Sequence, residues 1–474
     1  MNLPLRELPT DYDVCVLGGG VSGSVAGIAA ARAGARVLVI EEHGYLGGSL
    51  TAMGVGPMMS FHNPAGEQVV LGIPDEIIRR LMLRGASLGH IPDTTTYCST
   101  VTPFDSEELK IELETMLGEV KADLLYHTQL AGVETVDGIV RRVAVCNKAG
   151  IHAIRAKVFI DATGDGDLAA RAGAPFVLGR QADGAAQPMT MNLKLANVDT
   201  AAVREYALAH PDDFLWHPHG KEEGLRRLRA SARLSLAGFL GAWRAARKRG
   251  EVDVPRDQVL FFETAVSGIV IVNTSRITGF DATDPFQLSR AETVGRQQCM
   301  QIFRFLRQHA PGFAHAVRMD TAAKIGVRES RHVLGRHLLT ADDLVHVREF
   351  DDAIALGGYP IDIHSPDTES TATTYLPPDA SYQIPLRSLL VETPANLVLV
   401  GRCVSATHEA AAAIRVTPIA MAIGQAGGVA AAEAAARNLL PAQVPFAAIR
   451  ERLLAQGAKL PTRAQSAEIP DMLR

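Results

Sequence analysis

Cysteine is scarce in this chain. Cys15, Cys98, Cys146, Cys299 and Cys403 are scattered over 474 residues, and no two have CxxC spacing. That pattern supports neither disulfides nor iron–sulfur ligation. A reducing, cytoplasmic setting is the expectation. Metal-binding spacings are equally scarce. There is no HExxH, and the one close histidine pair, His217 and His219 around Pro218, reads as a surface loop, so no metal site is expected. The formal charge is only −5, which argues for no polyanionic partner. Basic runs at Arg226-Arg227-Leu228-Arg229 and Arg244–Arg249 sit in amphipathic pattern and read as solvated helix faces, not a nucleic-acid surface. Met1–Asp13 carries four charged residues and no apolar run, so no signal peptide is expected. The longest uncharged apolar stretch, Val416–Ala432, contains Thr417, Pro418, Gln425 and three glycines and is otherwise rich in alanine. It predicts a tightly packed internal helix and no membrane span. No internal repeat stands out.

What is present reads as α/β. A chain of 474 residues exceeds one hydrophobic core, so two domains or a bilobed shape are expected. Asp13–Leu17 is a short apolar strand entering a glycine loop. Val21–Ala33 has helical spacing and stops at Gly34, and Arg36–Ile40 is a second strand that should pair parallel to the first. A glycine-rich loop follows over residues 44–57. Helices are predicted over Pro74–Arg84 and from Asp105, where Asp105 and Glu108 form a capping box. Strands are predicted over Asp123–His127, Gly138–Asn147 and Ile151–Ile160. The stretch 176–385 changes character and reads as an inserted α+β cap, with strands Met191–Ala196, Val259–Glu263 and Gly268–Val272 and helices Gly224–Lys248 and Ser289–His309. The domain division is therefore 1–175, 176–385 and 386–440, with a C-terminal helix and tail over 441–474.

The glycine loop carries chemistry. Gly18, Gly20 and Gly23 satisfy GxGxxG, in which the glycines allow a tight turn, close approach of backbone to pyrophosphate, and helix–strand packing. The phosphates then sit at the positive end of the helix. Glu41 ends the second strand, 18 residues after Gly23, where a carboxylate can accept both ribose hydroxyls. GxGxxG alone is weak in a chain with 42 glycines; strand, loop, helix, strand and acid in order make it specific. The acid favours FAD or NAD over NADP. Gly47-Gly48, the strand end Ala162-Thr163-Gly164 and the strand end Gly401-Arg402 select FAD.

Those segments carry a resemblance to a known family. GGGVSGSVAGIAAARAGARVLVIEEHGYLGG (18–48), IDATGDGDLAARAGAPF (160–176), QPMTMNL, IGVRESRHVLG, YPIDIH, YQIPLRSLL and the run from Asn396 to Ala432 look like the glutathione-reductase-type flavoproteins. Within them, the chain is similar to the group known as FAD-dependent oxidoreductases. The resemblance implies a discontinuous Rossmann-like FAD domain with a cap over the isoalloxazine ring. It implies cofactor contacts from Gly18, Gly20, Val21, Ser22, Gly23, Glu41, Glu42, Gly48, Ser49, Leu130, Ala162, Thr163, Gly164, Gly401, Arg402, Pro418, Ile419 and Ala420. Arg402 stands where related flavoproteins often carry an acid. Thr417 as N-cap and Pro418 as first helical residue would start a helix whose end the resemblance aims at the flavin pyrimidine edge, stabilising charge there.

Candidate catalytic residues are His364, beside Asp362; His62; Arg328; and Arg415. His408 and Arg415 flank the C-terminal helix start and could contact flavin or substrate. Arg328 and Arg331, three apart, would share a helix face and hold a substrate carboxylate, or else join Glu329 in a structural ion network. Cys403 reads as a buried, inert thiol. Tyr382 and Arg387 are further pocket candidates. The expected activity is hydride transfer from a small organic substrate to flavin N5. The alternatives are a monooxygenase or halogenase-like enzyme reduced by NAD(P)H, since Asp161–Asp167 loosely resembles an aromatic-hydroxylase motif, and an FAD-binding electron-transfer subunit. Homo-oligomerisation and the electron acceptor are left open.

Overall fold

A computed structural model of the chain describes residues 5–7, 11–217 and 220–462. His219 lies outside them. The chain enters β1 (Tyr12–Leu17), turns through the glycine loop into α1 (Val21–Arg32), and returns in β2 (Val37–Ile40). α2 (Ile73–Leu83), α3 (Ser106–Glu119) and β3 (Asp123–Leu125) follow. An antiparallel meander, Gln129–Val136, Ile139–Asn147 and Gly150–Ile154, then leads to β4 (Ala156–Asp161). The meander's first strand, which sequence pattern did not mark, is mostly exposed or half-exposed and lacks a buried apolar row.

The middle of the chain forms a second sheet from β5 (Leu193–Ala196), β6 (Ser235–Gly238), β7 (Val259–Glu263), β8 (Val270–Val272) and β9 (Val317–Thr321), with α4 (Pro285–His309) inserted before β9. Its order is β6-β7-β8-β5-β9, all antiparallel. The single helix expected over 224–248 is two helices, Gly220–Ala230 and Leu240–Lys248, split by β6. Leu234, Leu236 and Phe239 are buried there, and pairing with β7 outweighs the helical spacing.

The chain then returns through β10 (Ile361–His364) and β11 (Leu397–Leu399) to α5 (His408–Ile414) and α6 (Thr417–Arg437). The first sheet is fully parallel, in the order β11-β4-β1-β2-β3, with β1, β2 and β4 almost wholly buried. That burial explains the uninterrupted Val-Leu-Val-Ile run of β2 and the apolar cores of β1 and β4. α6 is the one helix among the described residues long and apolar enough to cross a membrane, yet it is buried inside the fold against α1.

Two apolar clusters result. One joins residues 12–174 to residues 333–460; the other takes Met189–Val327 and centres on Trp243, Phe261, Phe305 and Phe313. Residues 333–384, expected in the cap, instead bury Val333, Leu339, Ile354, Tyr382 and Ile384 in the first cluster. Periodicity reveals that a strand is buried; it does not reveal against which sheet.

Candidate functional site

The glycine loop folds as its sequence requires. Gly18 has φ +108°, and a Cβ there would lie 2.4 Å from the Ala162 carbonyl oxygen, so β4 and the loop are in near-backbone contact. A Cβ on Gly23 would fall 1.8 Å from the Gly18 carbonyl oxygen. Gly20 differs: its Cβ would meet nothing closer than Gly48 Cα at 3.9 Å. The central glycine thus faces open space, the cradle a pyrophosphate needs.

Glu41 is buried at the end of β2. Its Oε2 accepts from the Gly19 amide at 2.7 Å, and its Oε1 accepts from the His43 amide at 2.8 Å and His43 Nδ1 at 2.7 Å. A carboxylate offers roughly four acceptor positions. Three are used by protein, which leaves room for about one ribose hydroxyl rather than the two expected. Glu41 therefore ties the loop to β2 and lines the first cavity. At β4, Asp161 accepts from the Thr163 amide and hydroxyl and from the Ala169 amide, setting the turn Ala162-Thr163-Gly164. Burial pushes its carboxyl pKa up.

These residues line a chain of three adjoining cavities. The first, about 490 Å³, is walled by Gly18, Gly20, Glu41, Glu42, Gly48, Leu130, Ala162 and Thr163, with Lys324 and Arg171 unforeseen from sequence. Lys324 Nζ lies 2.6 Å from Glu42 Oε1. The second, about 250 Å³, shares Gly20, Gly48, Met53, Ala162 and Thr163 with the first and adds Val21, Ser22, Ser49, Gly164, Gly401, Arg402, Thr417 and Ala420. Arg328, Tyr359, Asp362, His364 and Arg415 form its far end. The third, about 290 Å³, shares Asn273, Tyr359, Asp362 and His364 with the second and runs on to Tyr97, His217, Arg256, Leu260 and Phe262. An elongated dinucleotide fits the first two, and the third leaves separate space beyond them.

Several expected residues behave otherwise. Pro418 and Ile419 do not line the groove. α6 begins at Thr417, with Val416 as its uncapped N-cap residue and Pro418 in its second position. The Thr417 side chain caps nothing, but Val416, Thr417 and Ala420 present the helix start to the second cavity. Asp105 caps α3 through the Glu107 and Glu108 amides, without the reciprocal Glu108 bond. Arg328 and Arg331 do not share a helix face: the segment is not helical, and Arg331 opens a short strand. Arg331 pairs with Asp167 at 2.9 Å, and Arg402 with Asp165 at 2.8 Å. Buried Glu329 lies 2.7 Å from both His332 Nε2 and His408 Nδ1, so His408 serves the scaffold. Burial opposes the Glu329 charge, but the two imidazoles outweigh it and hold its pKa near 2.

His62 lies outside all three cavities. It bonds Thr100 Oγ1 at 2.9 Å and packs edge-on against His90, and burial followed by His90 lowers its pKa to about 4. His217 is half-buried against Tyr97 rather than at the surface. Tyr382 is buried in the first core, Arg387 pairs with Asp352, and Cys403 is buried with its thiol pKa pushed up by burial.

His364 lines the second and third cavities. Its Nε2 is 3.4 Å from Asp362 Oδ2 and its Nδ1 3.3 Å from Thr371 Oγ1. Burial, then the Arg328 charge, lowers its pKa to about 3, so the ring is neutral at pH 7. Burial works against the Asp362 charge, yet His364 and Arg415 outweigh it and hold that carboxyl below its ordinary range. Asn192, Asn273, Arg256 and Lys324 were missed from sequence. QPMTMNL, over 187–193, marked the first of these as part of a motif; the others carry no local signal.

A parallel sheet with its glycine loop at the strand ends, an acid closing β2, and a groove running to a histidine–carboxylate pair define a dinucleotide-dependent oxidoreductase of the FAD-binding class. Residues 13–453 match the family described as FAD dependent oxidoreductase, and the chain belongs to that family. Among curated proteins it is similar to the thiamine thiazole synthases of Methanococcus aeolicus and Methanococcus vannielii, 32% and 30% identical over 163 and 161 residues. Each match takes in 32% of this chain, and 55% and 56% of the respective relatives, so the chain spans about half the length of the curated proteins it matches. Among solved structures it is similar to a geranylgeranyl bacteriochlorophyll reductase-like protein of Thermoplasma acidophilum, with a TM-score of 0.46, 16% identity, and 95% and 84% of the two chains covered. A flavin-dependent brominase gives 0.46, 13%, and 93% and 83%. A p-nitrophenol 4-monooxygenase of Pseudomonas putida gives 0.44, 12%, and 90% and 79%.

Proposed function

We propose that the enzyme oxidises a small organic substrate in the second and third cavities, with FAD in the first and second. The observation that carries this is convergence: Arg328, Asp362, His364 and Arg415 face the same space as the glycine loop and the α6 start. Bound FAD supplies the two-electron acceptor for hydride. His364, neutral and held by Asp362 and Thr371, takes the proton released as the substrate C–H is lost as hydride. The α6 N-terminus and the arginines favour negative charge at this end of the groove. Residues 185–330 act as the cap, and their core meets the FAD-binding core along the groove. The motif order further supports a place among the glutathione-reductase-type flavoproteins, and five scattered free cysteines fit a cytoplasmic setting.

Anaerobic bleaching of bound flavin by amino acids, hydroxy acids, sugars and NAD(P)H tests this reading. Bleaching by an organic donor is expected, with His364→Ala slowing it about 10²–10⁴-fold. Fast bleaching by NADPH, with none from any organic donor, would sink it.

A further inference from the structure

The far end of the groove is unusual in its charge. Arg256, Arg276, Arg328 and Arg415 are buried or half-buried, and among the described residues none makes an ion pair with a carboxylate. Arg328 donates to the Pro188 carbonyl and to Thr190 Oγ1, both at 2.6 Å. Arg415 reaches Gln187 Oε1 at 3.4 Å, and its Nε has no partner. Arg256 Nη1 and Gln187 Nε2 are likewise buried without partners. Arg276 lines neither the second nor the third cavity: its Nη2 holds the carbonyls of Ser365, Thr368 and Ser370, while its Nε and Nη1 are buried without partners. The nearest buried carboxylate, Asp362, is committed to Tyr359 at 3.1 Å and to His364.

Burial, then repulsion from Arg415 and Arg256, pushes Arg328 well below the ordinary guanidinium range. A guanidinium stays protonated in proteins, so Arg328 is a buried cation that Asp362 offsets only in part. Such an arrangement is costly without an anion, and two donor forks lining one cavity suit a planar oxyanion. The third cavity adds a different chemistry, because Val55, Met59, Tyr97, Leu215, Leu260 and Phe262 give it apolar walls.

On the reading of this space as the substrate cavity, we propose that the substrate is a small carboxylic acid. Its carboxylate is held by Arg328 and Arg415, and its apolar body lodges against Tyr97, Leu260 and Phe262. The carboxylate neutralises the cation that depresses His364, so binding makes that imidazole a stronger base where a proton must be taken. Catalysis and recognition are thereby coupled: a neutral analogue of the same shape leaves His364 weak.

The test is equilibrium binding to the oxidised holoenzyme, which needs no turnover. Benzoate and isovalerate are titrated against benzamide, isovaleramide and inorganic phosphate, following the visible flavin spectrum and calorimetric heat. Both carboxylates are expected to bind saturably, with the amides and phosphate at least about tenfold weaker. Arg328→Gln and Arg415→Gln should weaken benzoate at least about thirtyfold at retained FAD content. Arg415→Lys, the variant least prone to misfold, should fall between. Amides binding as tightly as acids, or phosphate matching benzoate, would overturn the proposal. So would variants that shed FAD while their residual holoenzyme binds benzoate normally, since the arginines would then serve the cofactor. A larger loss from Arg256→Gln than from the other two would reverse the orientation and refute it as stated. Failure of every organic donor to bleach flavin, with benzoate still bound through Arg328 and Arg415, would overturn the oxidation reading and leave the acid site standing.

Discussion

At the scale of single residues, buried charges divide into those that build the site and those left for a ligand. Glu41 does both, with three of its acceptor positions spent on the loop. Glu41→Ala frees the Gly19 and His43 amides at the wall of the first cavity, so FAD affinity should fall about 10–100-fold, read by flavin retention on dialysis. Glu329 is purely structural. Its carboxyl falls from an ordinary 4.5 to about 2 on folding. A lowered folded pKa contributes stability that is complete above about 4.5 and lost as pH falls toward 2. At pH 7 Glu329→Gln should therefore cost about 3 kcal/mol. The gap between native chain and variant should close progressively below pH 4.5, as urea midpoints across pH would show. Sequence reading left Glu329, Arg328 and Arg331 undivided between substrate and scaffold. Backbone conformation divides them, because the non-helical segment puts Arg328 on the cavity and Arg331 against Asp167.

At the scale of elements, the contact between α1 and α6 governs how the two halves of the FAD-binding part meet. Cβ atoms on Gly424 and Gly428 would each lie 2.2 Å from a backbone oxygen of α1, those of Ser22 and Ala26. An exposed helical glycine replaced by alanine gains roughly 1 kcal/mol of propensity. Here the clash is with backbone, which cannot rotate away, so overpacking of about 1–3 kcal/mol should win. Gly428→Ala is expected to lower the melting temperature and Gly428→Val to lower it further. Both β1–α1–β2 and α6 were legible from sequence, because a buried parallel strand and a small-residue helix carry their signal locally. The helix expected over 224–248 was not, since β6 is decided by its partner β7.

At the scale of the whole molecule, the cavities lie where the two apolar cores meet, with Asn192 and Asn273 from one side and Gly20 and Ala162 from the other. A cofactor filling that seam binds only the assembled fold. Free FAD at a hundredfold its Kd should therefore stabilise the apoprotein by about 2.7 kcal/mol, while NADP at the same concentration leaves the melting temperature unchanged. An equal shift by both would show that Glu41 does not select the ribose.

Sequence alone determined the glycine loop, its acid, the first two parallel strands and the choice of FAD, because each is carried by short motifs that are legible locally, even where, as for FAD, the motifs stand far apart in the chain. Tertiary structure alone decided that residues 333–384 pack with the first core, that His62 and His408 stand aside, and that Arg256, Arg328, His364 and Arg415 meet. Those four come from separate segments with no shared periodicity. The charge of the three arginines, set without a carboxylate ion pair among the described residues around two joined cavities that share His364, exists only once folding has removed the water between them.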